Sequence, residues 1–384
     1  MPIIVDVLIP AFNAEATIRT AVESIQQQTL RDILIHVVDD GSTDGTPVIL
    51  AEMAQADSRI HIYRRENGGI VDALNYGLTF CQAEFLARHD ADDLAYPERL
   101  QVQIDYLRAH ADVVAVGGQA RHIGADDQPT GTVTALESPD LCDPDHIPSR
   151  EPYIIHPLLT LRRVALERVG GYRFAVHSED TDLYWRLREV GRLVNLPQVL
   201  ADYRLHDASI SGTSATNGRI MAVNAQLAGL SARRRRAGRP DLNFLKVRVA
   251  GYKQAGGLAE VVELASAGLD ADERAYLIRA TAAKLLELTT YRPYDLSWGD
   301  AVFVRHALGD GMPGVPAERR KILERHVSGA AARLATKGEW RTAFALIPPK
   351  LFPGFAARVA MRLAVPNSFH RFIQRRGTRM ALGH

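Results

Sequence analysis

The stretch FLARHDADD at residues 85–93 decides the fold, because an apolar segment runs directly into a group of acidic side chains. Residues 85–87 have the character of a short buried strand, and the polar residues would follow its carboxyl end. Three earlier apolar segments end in the same way. The polar residues that follow those segments are 11–13, 39–40 and 67–69.

The segments between these strands predict helices, because their apolar residues recur at three- and four-residue spacing. Ile18, Val22 and Ile25 show this spacing, and Asn13 is expected to be the N-cap of their helix. Strands that alternate with helices predict right-handed crossovers and an α/β fold, Rossmann-like, with a mostly parallel sheet flanked by helices. Ligands of such sheets bind outside the carboxyl ends of the strands, where the polar clusters fall.

Composition excludes several classes of protein. Of 384 residues, 46% are hydrophobic and 24% are charged, which is typical of folded globular chains and not of disordered or coiled-coil ones. The formal net charge of +1 argues against a nucleic-acid partner. Two cysteines are too few for a disulfide framework.

The same sequence shows no signal-peptide pattern at its start and no charge-free apolar run of about 18 residues. We therefore expect a cytoplasmic protein with two reduced thiols.

The absence of two common phosphate-binding motifs narrows the possible classes of ligand. No Gly-x-Gly-x-x-Gly follows the first strand, and no P-loop pattern occurs. Carboxylates would repel a phosphate unless a hard divalent cation lay between them. Asp90 and Asp92 would point to the same side of an extended segment and could share that cation, which indicates a metal-bridged diphosphate. The alternative is a turn whose aspartates cap backbone amides.

Three motifs together resemble the inverting glycosyltransferases of family 2, which have the GT-A fold. They are VLIPAFN at 7–13, VVDDGSTDGT at 37–46 and ARHDADD at 87–93. Further segments look like the acceptor half of the same family. They are His156 and Pro157, VGGY at 169–172, SEDTDLYWR at 178–186 and YRLH at 203–206.

The resemblance implies roles for individual residues. Pro10, Ala11 and Glu15 would lie at the base and ribose of a nucleotide, and Asp39 would accept a hydrogen bond from the base. Arg88 would pair with a phosphate or with a neighbouring aspartate. The full set implied to bind the nucleotide sugar is Pro10, Ala11, Asn13, Glu15, Asp39, Asn67, Gly69, Arg88, Asp90 and Asp92.

The resemblance also implies a metal and a base. Asp92 and Asp90, with His206 as a further candidate, would hold Mg²⁺ or Mn²⁺. Asp180 would take the proton of the attacking acceptor hydroxyl, and Glu179 and Trp185 would contact the acceptor. Two alternatives stay open: Glu179 and Asp180 could simply cap a helix, and Trp185 could belong to the core.

We expect a GT-A catalytic domain at 1–215, with a nucleotide-sugar-binding half at 1–110 and an acceptor half at 111–215. A helical domain would follow at 216–384. From about residue 349 its tail is basic and amphipathic, which suits contact with an anionic membrane surface. The alternative is a helix that packs on its own protein or on a homo-oligomer partner.

The expected function is inverting sugar transfer from a UDP, GDP or dTDP sugar to a carbohydrate or lipid-linked glycan, in bacterial cell-surface polysaccharide synthesis at the inner membrane face. One alternative is a sugar-nucleotide nucleotidyltransferase, although the Gly-rich basic loop of that class is absent between Ile9 and Ala16. The other is a non-catalytic protein that binds a nucleotide sugar or glycan. No motif encodes the donor base, the sugar or the acceptor.

Overall fold

The computed structural model describes residues 2–205, 214–292, 294–309, 312 and 315–364. Within them, nine strands form one sheet with helices on both faces, which confirms the predicted α/β class. The strands are β1 (Val5–Ala11), β2 (Ile33–Asp39), β3 (Ile60–Arg64), β4 (Phe85–Arg88), β5 (Leu94–Ala95), β6 (Val113–Ile123), β7 (Pro129–Val133), β8 (Thr160–Arg162) and β9 (Arg192–Arg204).

The sheet order is β3-β2-β1-β4-β8-β6-β9-β5, with β7 paired to β6. The first four strands are parallel, as the alternation of strands and helices predicts. Beyond β4 the sheet is mixed, because β8 runs antiparallel to both of its neighbours and β5 runs antiparallel to β9. The chain between β6 and β8 contains no α-helix, so it lacks the crossover that a parallel pair requires.

Helices cover both faces of the sheet and then form the whole second part of the chain. Those of the sheet region are α1 (Ile18–Gln26), α2 (Thr46–Ala56), α3 (Ile70–Leu78), α4 (Arg99–Ala109), α5 (Arg163–Val169) and α6 (Glu179–Leu187). Those that follow are α7 (Ala215–Arg236), α8 (Lys246–Gln254), α9 (Leu258–Ala265), α10 (Ala271–Leu288), α11 (Trp298–Leu308), α12 (Ala317–Thr336), α13 (Trp340–Leu346) and α14 (Phe352–Ala364).

The start of α1 differs from the prediction. Its N-cap residue is Thr17, not Asn13. Asn13 has a φ of 48°, its amide donates to Ser42 Oγ at 2.9 Å, and its Oδ1 accepts from the Thr43 amide at 2.9 Å. The side chain therefore joins the loops after β1 and β2 and cannot cap the helix.

Alternation along β1 divides the core between the two faces. Val7 and Ile9 pack with α1, α2 and α4, whereas Leu8 packs with α3, α5 and α6. Strands buried on both faces are what a parallel sheet between helix layers requires. The carboxyl ends of β1, β2 and β4 therefore lie together at one edge of the sheet.

The helices after β9 have a hydrophobic core of their own, which confirms the predicted helical region. An ion pair joins this region to the loop before β8, because the buried Lys284 of α10 lies 2.9 Å from the half-buried Glu151. The domain boundary at residue 215 stays a prediction. None of the helices in the described residues combines the length and apolarity needed to cross a bilayer.

Candidate active site

A cleft of about 2000 Å³ extends from the carboxyl ends of β1 and β4 to the helices after β9. Pockets for single small ligands usually measure roughly 300–1,000 Å³, so this cleft has room for two substrates. Ten of the residues predicted from sequence line it together. They are Pro10, Ala11, Asn13, Asn67, Gly69, Arg88, Asp90, Asp92, Glu179 and Asp180.

Asp39 lies at the end of β2, just beneath the cleft lining, and is almost fully buried. Its Oδ1 accepts a hydrogen bond from the Ser42 amide at 2.9 Å. Its Oδ2 is buried without a hydrogen bond in the described residues, 3.4 Å from Arg64 Nε. Buried polar atoms are normally hydrogen-bonded, so this oxygen fits a ligand donor.

Asp40, which has no predicted role, lines the cleft next to Asp39. Its Oδ2 accepts from the Gly69 amide at 2.8 Å, and its carbonyl accepts from Asn67 Nδ2 at 3.0 Å. Gly69 has a φ of 88°, a backbone conformation that is unfavourable for residues with a side chain. The second aspartate of the pair at 39–40 therefore fixes the turn that precedes α3.

The acidic residues after β4 form a compact cluster. Oxygen atoms of Asp90, Asp92 and Asp93 lie within 4.8 Å of one another. Burial, together with the charges of Asp90 and Asp92, raises the pKa of Asp93 well above its usual range. Asp93 also accepts from the Arg204 amide at 2.8 Å. Three carboxylates this close repel one another, and a hard divalent cation is the partner that relieves the repulsion.

Arg88 lies beside this cluster and forms an ion pair with Asp90. The arginine is 5% exposed, and its Nε and Nη1 atoms have no hydrogen-bond partner in the described part of the chain. A buried guanidinium that faces the cleft with unused donors fits a phosphate oxygen. His206, predicted as a metal ligand, lies outside the described residues.

A second group with metal-ligand atoms, Asp6, His36 and Cys81, is buried within the sheet region. Asp6 accepts from the Ala83 amide at 2.7 Å and contacts His36 Nε2 at 3.0 Å. Burial raises the pKa of the Cys81 thiol, and a protonated thiol is a poor metal ligand. We interpret this group as structural.

Asp180 and Glu179 begin α6 and face the cleft together. Burial raises the pKa of Asp180, and its Oδ1 accepts from the Thr181 amide at 2.7 Å. Burial and then the charge of Asp180 raise the pKa of Glu179 to about 7. The Oε2 atom of Glu179 is buried without a hydrogen bond in the described residues. The N-cap residue of α6 is Ser178, so neither carboxylate is itself the N-cap of the helix.

Asp182, two residues after Asp180, holds α6 in place. It is fully buried and accepts from Arg173 Nε at 2.9 Å and from Arg186 Nη2 at 2.7 Å. Two arginines on one buried carboxylate neutralise it and fix the helix against the loop before it. Because Asp180 lies on the same helix, the two ion pairs of Asp182 also fix the position of Asp180.

Two residues predicted to contact the substrates, Glu15 and Trp185, are not part of the cleft lining. The Glu15 side chain lies outside the cleft lining, because its Oε2 accepts from the Gly45 amide at 2.7 Å. Trp185 is 4% exposed and packs against Ala228 and Ala232 of α7. This packing agrees with the alternative that Trp185 belongs to the core.

The cleft also contains residues that sequence reasoning missed. Glu151 and Tyr153, before β8, and Tyr291 and Arg292, after α10, line the cleft near Asp180. The charge of Arg292 lowers the pKa of Asp180 and so opposes the effect of burial. These four residues belong to no motif and come together only through the packing of α10, so the sequence carried no signal for them.

Comparison with known proteins agrees with this geometry. Residues 6–170 match the family described as Glycosyl transferase family 2. "Putative glycosyltransferase EpsE" of Bacillus subtilis is 30% identical over 206 residues, which cover 52% of this chain and 72% of EpsE. The O-antigen biosynthesis glycosyltransferase WbnJ of Escherichia coli is 29% identical over 209 residues, which cover 53% of this chain and 81% of WbnJ.

Among solved structures, S. aureus TarS in complex with UDP-GlcNAc is similar to this chain with a TM-score of 0.49 and 16% identity. The similarity covers 88% of this chain and 90% of the TarS chain.

Proposed function

The chain belongs to glycosyl transferase family 2, and on this basis we propose that it transfers a sugar from a nucleoside-diphosphate sugar to a carbohydrate acceptor with inversion of the anomeric centre. The observation that carries the proposal is the cleft itself. The acidic cluster after β4 and the carboxylate of Asp180 line one continuous space that can hold two substrates. Donor and acceptor can therefore be brought together between them.

We assign the donor to the edge formed by β1, β2 and β4. Asp39 Oδ2 accepts no hydrogen bond in the described residues and lies 3.4 Å from Arg64 Nε, and it would accept from the base. The unused donors of Arg88 face the cleft where the diphosphate would lie. UDP, GDP and dTDP all carry a base donor and a diphosphate. The contacts therefore define the class of donor and leave the choice of base to the experiment below.

The acidic cluster fits a divalent cation such as Mg²⁺ or Mn²⁺, because Asp90 and Asp92 supply the hard oxygen ligands that these ions prefer. When bound, such a cation would neutralise charge on the leaving diphosphate. Arg88 adds a fixed positive charge on the same side.

Asp180 is assigned as the general base. Its raised pKa makes it a stronger base than an exposed aspartate, and Arg292 and the Thr181 amide limit that rise. It would take the proton of the acceptor hydroxyl as the oxygen attacks the anomeric carbon, while the bond to the nucleoside diphosphate breaks. One displacement inverts the configuration.

The stereochemical outcome tests this assignment without a known acceptor. With an α-linked nucleoside-diphosphate sugar as donor and water in place of the acceptor, we expect the first sugar released to be the β anomer. Proton NMR of the anomeric signal distinguishes the anomers before they interconvert. Release of the α anomer at the earliest time points would refute a single displacement.

We propose a role in bacterial cell-surface polysaccharide synthesis, with a glycan or lipid-linked glycan as the acceptor. Similarity to a protein named for O-antigen biosynthesis supports it. A second relative at 29% identity is named for amylovoran biosynthesis. Both matches cover about half of this chain, so the acceptor remains a proposal.

We also propose that the protein works at the inner face of the membrane, held through α13 and α14. Phe344, Phe352 and Leu363 are exposed there, and Leu363 is 71% exposed. Arg358 lies on the same helix. Exposed aromatic and basic side chains together suit an anionic lipid surface. The predicted tail beyond residue 364 lies outside the described residues.

Cosedimentation with vesicles tests this contact. We expect the full chain to bind phosphatidylglycerol vesicles more strongly than phosphatidylcholine vesicles, and Phe344→Ser/Leu363→Ser to bind less. Val247→Ser removes an equally exposed apolar side chain from α8 and serves as the control. Equal binding by the two variants would contradict the proposal.

A further inference from the structure

The cleft has opposite charges at its two ends. Its lining from the sheet region carries seven acidic and two basic side chains, whereas its lining from the helices after β9 carries nine basic and two acidic ones. Five arginines of α12 and α14, here called the basic cluster, make up most of the positive end. They are Arg319, Arg325, Arg333, Arg358 and Arg362.

Few carboxylates of the described residues balance this cluster. Glu287 pairs with Arg319 at 2.8 Å but also with Lys284 at 3.0 Å. Asp295 lies 3.7 Å from Arg333 and pairs with Lys337 as well.

Arg325 and Arg358 are exposed and form no ion pair within the described ranges. The remaining acidic side chain of this lining, Glu318, is exposed on α12, three residues from Lys321, whose charge offsets its own. The cluster therefore has more positive charge than its own carboxylates neutralise.

The arginines also lie close enough to act on one another. Burial, followed by the charge of Arg358, lowers the pKa of Arg362. Burial lowers the pKa of Arg333, and the charge of Arg362 adds to the effect. Polar atoms of the same region, Arg319 Nε and His326 Nδ1, are buried without a hydrogen bond in the described part of the chain. Like charges with unused donors indicate a binding site for an anion.

A series of charge interactions links the cluster to Asp180, the residue assigned to the acceptor hydroxyl. The charge of Asp180 acts on Glu151, and Glu151 pairs with Lys284. Lys284 pairs with Glu287, and Glu287 pairs with Arg319 of the cluster. The donor diphosphate is already assigned to the opposite, acidic end, so a second anion at the basic end would belong to the acceptor.

We propose that the basic cluster binds a phosphate group of the acceptor and thereby selects phosphate-bearing acceptors over neutral glycans. That the bound molecule is the acceptor rests on the proposed function, whereas the phosphate site itself rests on the basic cluster alone. Phosphate is favoured as the anion because guanidinium groups from two helices can donate to several of its oxygens at once. That phosphate could come from a lipid diphosphate at the end of a growing glycan or from a phosphodiester within a polymer.

Calorimetric titration with two phosphate probes tests the site in the full chain. Decyl diphosphate represents the lipid source, glycerol phosphate oligomers represent the polymer source, and decyl glucoside is the neutral control. EDTA is present, so that a metal-dependent donor site does not take up the probes. We expect one of the phosphate probes to bind, decyl glucoside not to bind, and the affinity to fall as salt is raised.

Arg325→Gln/Arg358→Gln is expected to weaken binding of that probe by about tenfold or more. Both side chains are exposed, so the fold should be kept. Arg274→Gln removes an exposed arginine of α10 that pairs with Glu263 outside the cleft, and its affinity should equal that of the wild type.

Each outcome decides the matter. Tight binding of decyl diphosphate points to the lipid source, and tight binding of the oligomers to the polymer source. No binding of either phosphate probe, equal binding of decyl glucoside, or equal affinity of the double variant and the wild type would overturn the inference. A separate titration of nucleoside diphosphates with Mn²⁺ reports on the donor site, so failure of the proposed function would be seen independently.

Discussion

Asp180→Asn is expected to lower the rate of sugar release from the donor by about 10²–10⁴-fold, the usual contribution of a general base. Asparagine has nearly the same shape but cannot accept a proton at its amide. The Oδ1 atom of the asparagine can still accept the hydrogen bond from the Thr181 amide, so α6 should keep its position. Affinity for the nucleoside diphosphate should stay at the wild-type level, because that ligand is assigned to the other side of the cleft.

The acidic pair at the start of α6 gives this prediction a second readout. The base works only when deprotonated, so a raised pKa moves the loss of activity to higher pH. Because the pKa of Glu179 lies at about 7 and that of Asp180 is also raised, the rate should begin to fall as pH drops through about 7. The apparent value belongs to the pair and not to either residue.

Glu179→Gln removes one negative charge from the pair, so its acidic limb should move to lower pH than that of the wild type. Glu189→Gln, which changes a carboxylate paired with Arg235 beyond the end of α6, should leave the profile unmoved. Full activity of Asp180→Asn, or an unmoved acidic limb in Glu179→Gln, would show that another group takes the proton.

Asp92→Asn is expected to weaken metal-dependent binding of the nucleoside diphosphate by about 100-fold, because it removes a charged ligand from a half-buried site. Its charge acts on Asp93 and its oxygen lies within 4.8 Å of those of Asp90 and Asp93. The amide oxygen that remains is a weaker ligand for a hard cation. Calorimetry with Mn²⁺ measures the effect directly and needs no acceptor.

The matched control is Asp105→Asn, an equivalent change on the exposed face of α4, where the carboxylate accepts from Gln101 Nε2 at 2.9 Å. It should bind the nucleoside diphosphate as the wild type does. If Asp92→Asn also bound like the wild type, the acidic cluster would be structural and the metal assignment would be wrong.

The local pattern of the sequence was sufficient to place the polar residues at the edge formed by β1, β2 and β4. Each strand of the parallel part ends in polar residues, and the topology alone brings residues such as Asn67 and Asp90 to one edge. The mixed half of the sheet could not be predicted in this way. β6 pairs with β9 across about 70 residues of chain, and nothing in either segment specifies so distant a partner.

Two further features could not be predicted from the sequence: the direction in which a helical side chain points and the packing of the helices after β9. Trp185 lies five residues after Asp180 on α6, and helical spacing alone does not show that it faces α7 and not the cleft. Arg325 and Arg358 lie on different helices, each within an ordinary amphipathic pattern. Only the packing of α12 against α14 brings them into one charged surface, so the basic cluster is a tertiary feature without a sequence signature.

The most direct test of the central claim is calorimetric titration of the wild-type chain with UDP, GDP, dTDP and CDP, in Mn²⁺ and in EDTA. We expect that one of these nucleoside diphosphates binds in Mn²⁺ and that EDTA abolishes its binding, because Asp90 and Asp92 are assigned to hold the diphosphate through the cation. Binding that is equal with and without the metal, or no binding of any of the four, would contradict it.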